Sequence, residues 1–182
     1  MVNKNPTWTN VKSILATKET PELLMLIKDL YALNKNNKTF IEARYLVGDD
    51  VIEPYKKRIN DALYPDVMKN KPVSRSEGRK AISDYKKATK DTNGAIELMV
   101  LYVKTGTQFT LGYGDVYDEF YDSLISMFQA ILKLLVKADN ATQETFVTEL
   151  SDIAYSVRGI GWGYYDDLSS LLNDYFPDYS CN

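Results

Sequence analysis

Any chemistry in this chain has to proceed without imidazole. None of the 182 residues is a histidine, and the single cysteine, Cys181, stands one residue from the end. That removes the usual general base, the Ser-His and Cys-His nucleophile pairs and zinc sites built on thiolate or imidazole. Carboxylate, phenol, amine and guanidinium remain. The carboxylates that cluster in sequence are Asp115, Asp118 and Asp122, with Asp166 and Asp167 further on. Oxygen-rich clusters hold Mg²⁺ or Ca²⁺, but this spacing matches no calcium loop, and acids at a helix start are accounted for by the helix dipole. No metal, no cofactor and no catalytic residue is therefore assigned.

Binding chemistry is better represented. Residues 51–90 carry eleven Lys/Arg against five Asp/Glu, while residues 115–182 carry three against twelve, in a chain whose net charge is only −3. Lys56, Lys57 and Arg58 fall on one predicted helix. Arg79, Ser83, Lys86 and Lys90 share a face of the next, and Lys69, Lys71 and Arg75 come from between. Phosphate backbones need such a spread of cations, and nearby tyrosines could stack bases. The plainer reading is a solvated face whose charges pair internally with the acidic third or along the helix, as Glu53 with Lys57. Gly161, Trp162 and Gly163, followed by Asp166 and Asp167, are a possible turn site, since glycine-rich turns at helix starts cradle phosphate on backbone N–H groups. Here no strand precedes the glycines, no lysine follows them, and the two aspartates repel phosphate. A tight interhelical turn that lets Trp162 pack is the better account. Arg44, alone in an apolar helix, reads as a salt-bridge anchor to Asp49 or Glu97.

Helices must position all of these groups. The longest apolar stripe is Val116, Phe120, Leu124, Met127, Phe128, Ile131, Leu134 and Leu135, spaced by three or four. It predicts a central helix over Asp115–Ala138, capped by Asp115 and covered on several sides. Before it, short helices are expected from Trp8 to Thr17, from Thr20 (as N-cap) to Leu33, and from Thr39 to Val47, with Asn34–Lys38 as a polar connection. Leu23, Leu26, Ile27 and Leu30 form the core face of the second. A helix capped by Asp49 or Asp50 runs to Leu63, and a basic loop spans residues 65–73. Ser74-Arg-Ser-Glu77 fits a capping box that opens a helix to Lys90. Ala95–Lys104 reads as helix and Thr105–Gly114 as a loop. Helices capped by Asn140 or Thr142, and from Gly163 to Phe176, complete the chain.

Two internal echoes stand out. Val51–Asp61 and Ala81–Asp91 lie thirty residues apart and match at five of eleven positions, Tyr-Lys-Lys included. Gly112-Tyr-Gly-Asp also resembles Gly161-Trp-Gly-Tyr, each expected to open a helix. Stacked helical hairpins would give such echoes.

Asp29-Leu-Tyr31, Phe40-Ile-Glu-Ala-Arg44, Pro54-Tyr-Lys-Lys-Arg-Ile59, Lys71-Pro-Val-Ser74, Ala81-Ile-Ser-Asp-Tyr-Lys-Lys-Ala88, Glu97-Leu-Met99 and Gly159-Ile-Gly-Trp-Gly163 together resemble a bacterial family of small helical proteins of unknown function. The resemblance runs from about residue 20 to residue 170. It implies bacterial origin and a compact helical domain, and it carries no activity to transfer.

The expectation is a single all-α domain over residues 1–182, frayed at 1–6 and 178–182. Its eight or nine helices would form an irregular multi-helix bundle or a short helical-hairpin solenoid. Its function is expected to be that of a non-enzymatic interaction or adaptor module with another protein as partner. The alternatives are nucleic-acid binding through residues 56–90 and an enzyme built on carboxylates and tyrosines. No apolar run reaches membrane-span length, so a cytoplasmic protein without a membrane partner is expected. The oligomeric state is open.

Overall fold

The computed structural model describes residues 7–45, 51–66, 71–114, 117–160 and 163–179. Among these residues the secondary structure is helical, with no strand. The helices are α1 Trp8–Leu15, α2 Thr20–Leu33, α3 Lys35–Tyr45, α4 Glu53–Leu63, α5 Arg75–Thr89, α6 Thr92–Tyr113, α7 Asp118–Leu135, α8 Asn140–Ser156 and α9 Tyr164–Tyr175. A short 3₁₀ turn, Pro177–Tyr179, follows α9 and packs Tyr179 against the core. Residues 178 and 179, in the stretch expected to fray, belong to this turn.

The predicted pillar is present as α7. Leu124, Phe128, Ile131 and Leu135 have no solvent exposure. The helix starts at Asp118 with Tyr117 as N-cap; Asp115, the expected cap, lies outside the described residues. A second helix shares the centre. α6 packs on α4, α5, α7 and α8, while α7 packs on α6, α8 and α9. The result is a bundle around the α6–α7 pair.

The expected loop at Thr105–Gly114 is instead the second half of α6, up to Tyr113. Threonine and glycine are turn signals in isolation. In this helix their small size and hydroxyls are put to use in the interior. Thr105 donates to Asn60 Oδ1 at 2.8 Å, Thr107 and the Tyr164 hydroxyl lie 2.9 Å apart, and Thr110 back-bonds to the Thr107 carbonyl. Gly106 lets α7 approach, since a Cβ there would lie 2.5 Å from Leu124 Cδ2. Gly112 sits in the last turn of α6, so it closes a helix and does not open one.

Capping follows the local chemistry with small shifts. Glu19, not Thr20, is the N-cap of α2, with Pro21 in the first turn. Ser74 accepts from the Glu77 N–H and opens α5. Asp139 accepts from the Thr142 N–H at 2.9 Å and caps α8, one residue before Asn140. Its pKa is held below the usual carboxylate range by those Thr142 hydrogen bonds, backbone first. The expected connection at Asn34–Lys38 is largely the start of α3, with the Asn34 side chain accepting from the Asn37 N–H at 2.9 Å. Asp49 and Asp50 lie outside the described residues.

The Tyr-Lys-Lys echo has a physical counterpart. α4 and α5 pack against each other, and the equivalent tyrosines Tyr55 and Tyr85 meet edge-on, ring centroids 5.2 Å apart at 78°. Both rings are buried. Their hydroxyls diverge: Tyr85 donates to Asp91 Oδ2 at 2.7 Å, whereas the buried Tyr55 hydroxyl has no hydrogen-bond partner among the described residues.

Candidate functional site

Several cations of the basic segment are held by neighbouring groups, while Lys71, Lys80, Lys87 and Lys90 are exposed. Lys56 lies 2.8 Å from Glu53 and 2.7 Å from Glu97, and hydrogen bonds to both hold its pKa above the usual lysine value. Lys57 pairs with Asp61 at 3.3 Å and Arg58 with Asp84 at 3.0 Å. These partners come from α4, α5 and α6, so the cations are neutralised by nearby acids and not by the acidic C-terminal third. The ion pair that does reach that third among the described residues is Lys104 with Glu149, 2.8 Å apart.

The arginines of α5 hold helix to helix. Arg79 donates through Nη2 to the Ser123 carbonyl at 2.8 Å and stacks over Tyr102, whose hydroxyl lies 2.8 Å from the same Ser123 hydroxyl. Arg75 donates to the Glu119 carbonyl and covers the Tyr117 ring. Backbone carbonyls of α7 thus take the place of carboxylates as their partners. Asp49, one expected partner of Arg44, lies outside the described residues; among them Arg44 makes no acid pair, and it donates to the Lys87 and Ala88 carbonyls at the end of α5 and lies over Phe40. Those carbonyls lack partners inside their own helix, and a guanidinium with several donors suits them.

Among the described residues Lys86 has no carboxylate paired with it. Its ammonium lies 3.3 Å from Met99 Sδ, at a shallow cleft of about 410 Å³ lined also by Arg79, Ile82, Lys87 and Met127. Desolvation over this apolar floor lowers its pKa. The folded state therefore releases the Lys86 proton more readily than the unfolded chain does. Stability from this group rises with pH between the folded pKa and the unfolded value of 10.5. Lys86→Met is expected to raise the melting temperature at neutral pH, by a margin that narrows as pH approaches that window. Thermal melts across pH check this, and a fall in melting temperature would refute it. Lys90 is exposed and takes a left-handed conformation, φ 59°, at the C-cap of α5. Lys69 lies outside the described residues.

A polar cleft of about 460 Å³ is lined by Lys56, Tyr85, Asp91, Asn93, Glu97 and Phe146. It pairs a phenol with a carboxylate. Burial and then the Asp91 hydrogen bond push Tyr85 well above the ordinary phenol value, so it stays protonated at neutral pH and is no base. Asp91 accepts from the Gly94 N–H as the N-cap of α6. Both groups already have structural roles.

At the turn before α9, Gly161 and Trp162 lie outside the described residues. Gly163 is the N-cap of α9 in the left-handed region, φ 71°, which glycine tolerates best. Asp166 and Asp167 are exposed in the first turn of that helix, where the dipole favours them. Among the described residues no group of acids is arranged to hold a metal ion.

The feature that the expected core faces concealed is at the other end. Neither α1 nor α2 has a buried residue. Leu26, Ile27 and Leu30, expected to point inward, are 40%, 45% and 43% exposed, and Leu33 reaches 71%. Leu24, Met25, Trp8, Val11 and Ile14 are also exposed. α2 packs on α3, which packs on α5. α2 thus stands beside the bundle, α1 precedes it in the chain, and both helices, called the arm below, leave large apolar side chains exposed. The signal was in the sequence: Leu24 and Met25 lie off the Leu23–Ile27–Leu30 stripe, so a single neighbour could not cover α2.

No family model, curated protein or solved structure matches this chain.

Proposed function

We propose that the chain is a cytoplasmic, non-enzymatic interaction module that docks another protein through the arm α1–α2. The observation that carries this reading is the continuous exposure of large apolar side chains on both helices. Isolated exposed hydrophobics are normal, but contiguous apolar patches of more than a few hundred Å² mark interaction sites. The arm also has the form of helix-in-groove recognition, with anchors at Leu23, Leu26, Ile27, Leu30 and Leu33, spaced i, i+3, i+4, i+7 and i+10. Nucleic-acid binding loses support because Lys56, Lys57 and Arg58 are paired and Arg75 and Arg79 are committed to α7.

A photo-cross-linking residue placed at Leu30 tests the reading in cells. Discrete adducts are expected from Leu30 and not from exposed Glu144 on α8. Equal yields from both positions would refute a docking role for the arm. No helix among the described residues is long and apolar enough to cross a membrane.

A further inference from the structure

We infer that the arm's occupant is a second copy of this chain, so that α1–α2 of two protomers close on each other as a two-fold, four-helix contact. This rests on the arm being a docking surface and adds the identity of what covers it.

Three observations support a second copy. The first is area. Nine large apolar residues of α1 and α2 are 40–71% exposed, which amounts to several hundred Å² of apolar surface. A standard interface takes about 800 Å² from each partner. The arm therefore presents enough apolar surface to supply one side of a stable contact.

The second is charge. The basic and acidic segments of this chain would steer it toward partners of opposite sign, but the arm is balanced. Lys12, Lys18 and Lys28 stand against Glu19, Glu22 and Asp29. Lys18 and Glu22 are already paired at 2.8 Å. Two identical arms can approach without net repulsion, and no like-charge block forbids a two-fold contact. A specialised charged partner would be expected to leave its complement on this surface.

The third is geometry. The apolar surface of α2 spans more than one stripe, since Leu24 and Met25 are exposed beside Leu26, Leu30 and Leu33. One added helix covers one stripe, whereas a helix pair from another copy covers two. A two-fold contact uses the same patch on both sides, so it closes at two protomers and consumes the exposed surface that would otherwise aggregate.

Sedimentation equilibrium of the full chain, from low to high micromolar, tests the inference. The expected result is a species of twice the 20.8 kDa chain mass. Leu26→Glu with Leu30→Glu should raise the dimer dissociation constant by about 100-fold or more, given the usual cost of truncated hot spots. Far-UV circular dichroism should stay unchanged, because both residues are solvent-exposed in the single chain. If that pair unfolds, the milder Leu24→Gln with Leu33→Gln should weaken the dimer in the same direction. In the Trp162→Phe background, Trp8 emission should shift to the blue as concentration rises and should not in the Glu variant. A chain monomeric throughout the range overturns the inference. If the monomer still gives Leu30 adducts with another protein, the docking role survives; if it co-pellets with phosphatidylcholine vesicles, a lipid surface is the occupant. A dimer unaffected by both variant pairs also overturns it, by placing the contact elsewhere.

Discussion

Replacing Phe128 by alanine is expected to cost about 3–5 kcal/mol of stability, the usual range for a large aromatic truncated in a core. Phe128 has no exposed surface and belongs to α7, a helix that packs on α6, α8 and α9. Its neighbours on the same stripe, Leu124, Ile131 and Leu135, are equally buried. Chemical denaturation, with an unchanged slope against denaturant, measures the loss. A cost under about 1 kcal/mol would mean that α7 is not the centre of the bundle.

The second large effect is expected at Gly106. Ordinarily a glycine inside a helix is improved by a larger residue, by about 1 kcal/mol for alanine. Here the sign should reverse. A Cβ at this position would stand 2.5 Å from Leu124 Cδ2 and 3.1 Å from Cδ1, and Leu124 is fully buried with little room to turn. Gly106→Val is expected to destabilise by about 1–3 kcal/mol, the range for overpacking a core. The mechanism makes a further claim. If the cost is collision with Leu124, then Gly106→Val combined with Leu124→Ala should be less damaging than the sum of the two changes, with a coupling of at least about 0.5 kcal/mol. Additive losses in denaturation would refute the close approach of α6 and α7 at this point.

These two residues also show what the sequence makes legible. Phe128 belongs to an unbroken i, i+3, i+4 stripe, and such periodicity places a buried helix without knowledge of its neighbours. The Tyr-Lys-Lys echo was visible for the same reason, though not that Tyr55 and Tyr85 would touch. Gly106 was misleading because it lies in Thr105-Gly-Thr107, whose composition is that of a turn. Only the partner helix explains the small residue, and only Asn60 and Tyr164 explain the threonines. The cations failed differently. Charge counts gave the basic segment correctly, but they cannot place Glu97 beside Lys56 or the Ser123 carbonyl beside Arg79. In the arm, the apolar spacing has the pattern of a face awaiting the core. Periodicity identifies such a face, but it does not say whether the chain itself supplies the cover.

The way the arm is attached has a thermodynamic consequence. α2 reaches the bundle by way of α3, and neither α1 nor α2 buries a residue in it. Opening the arm therefore exposes almost none of the surface that stabilises α6 and α7, so its helices form a separate unit of low local stability. Amide protons of α1 and α2 exchange through that local opening, while those in the middle of α6 wait for global unfolding. Whatever docks on the arm stabilises the closed unit by mass action, in proportion to the logarithm of its concentration over its dissociation constant. The slowing of exchange should then be confined to residues 8–33 and to the α3 surface beneath them, a local meter of occupancy that the bundle does not register.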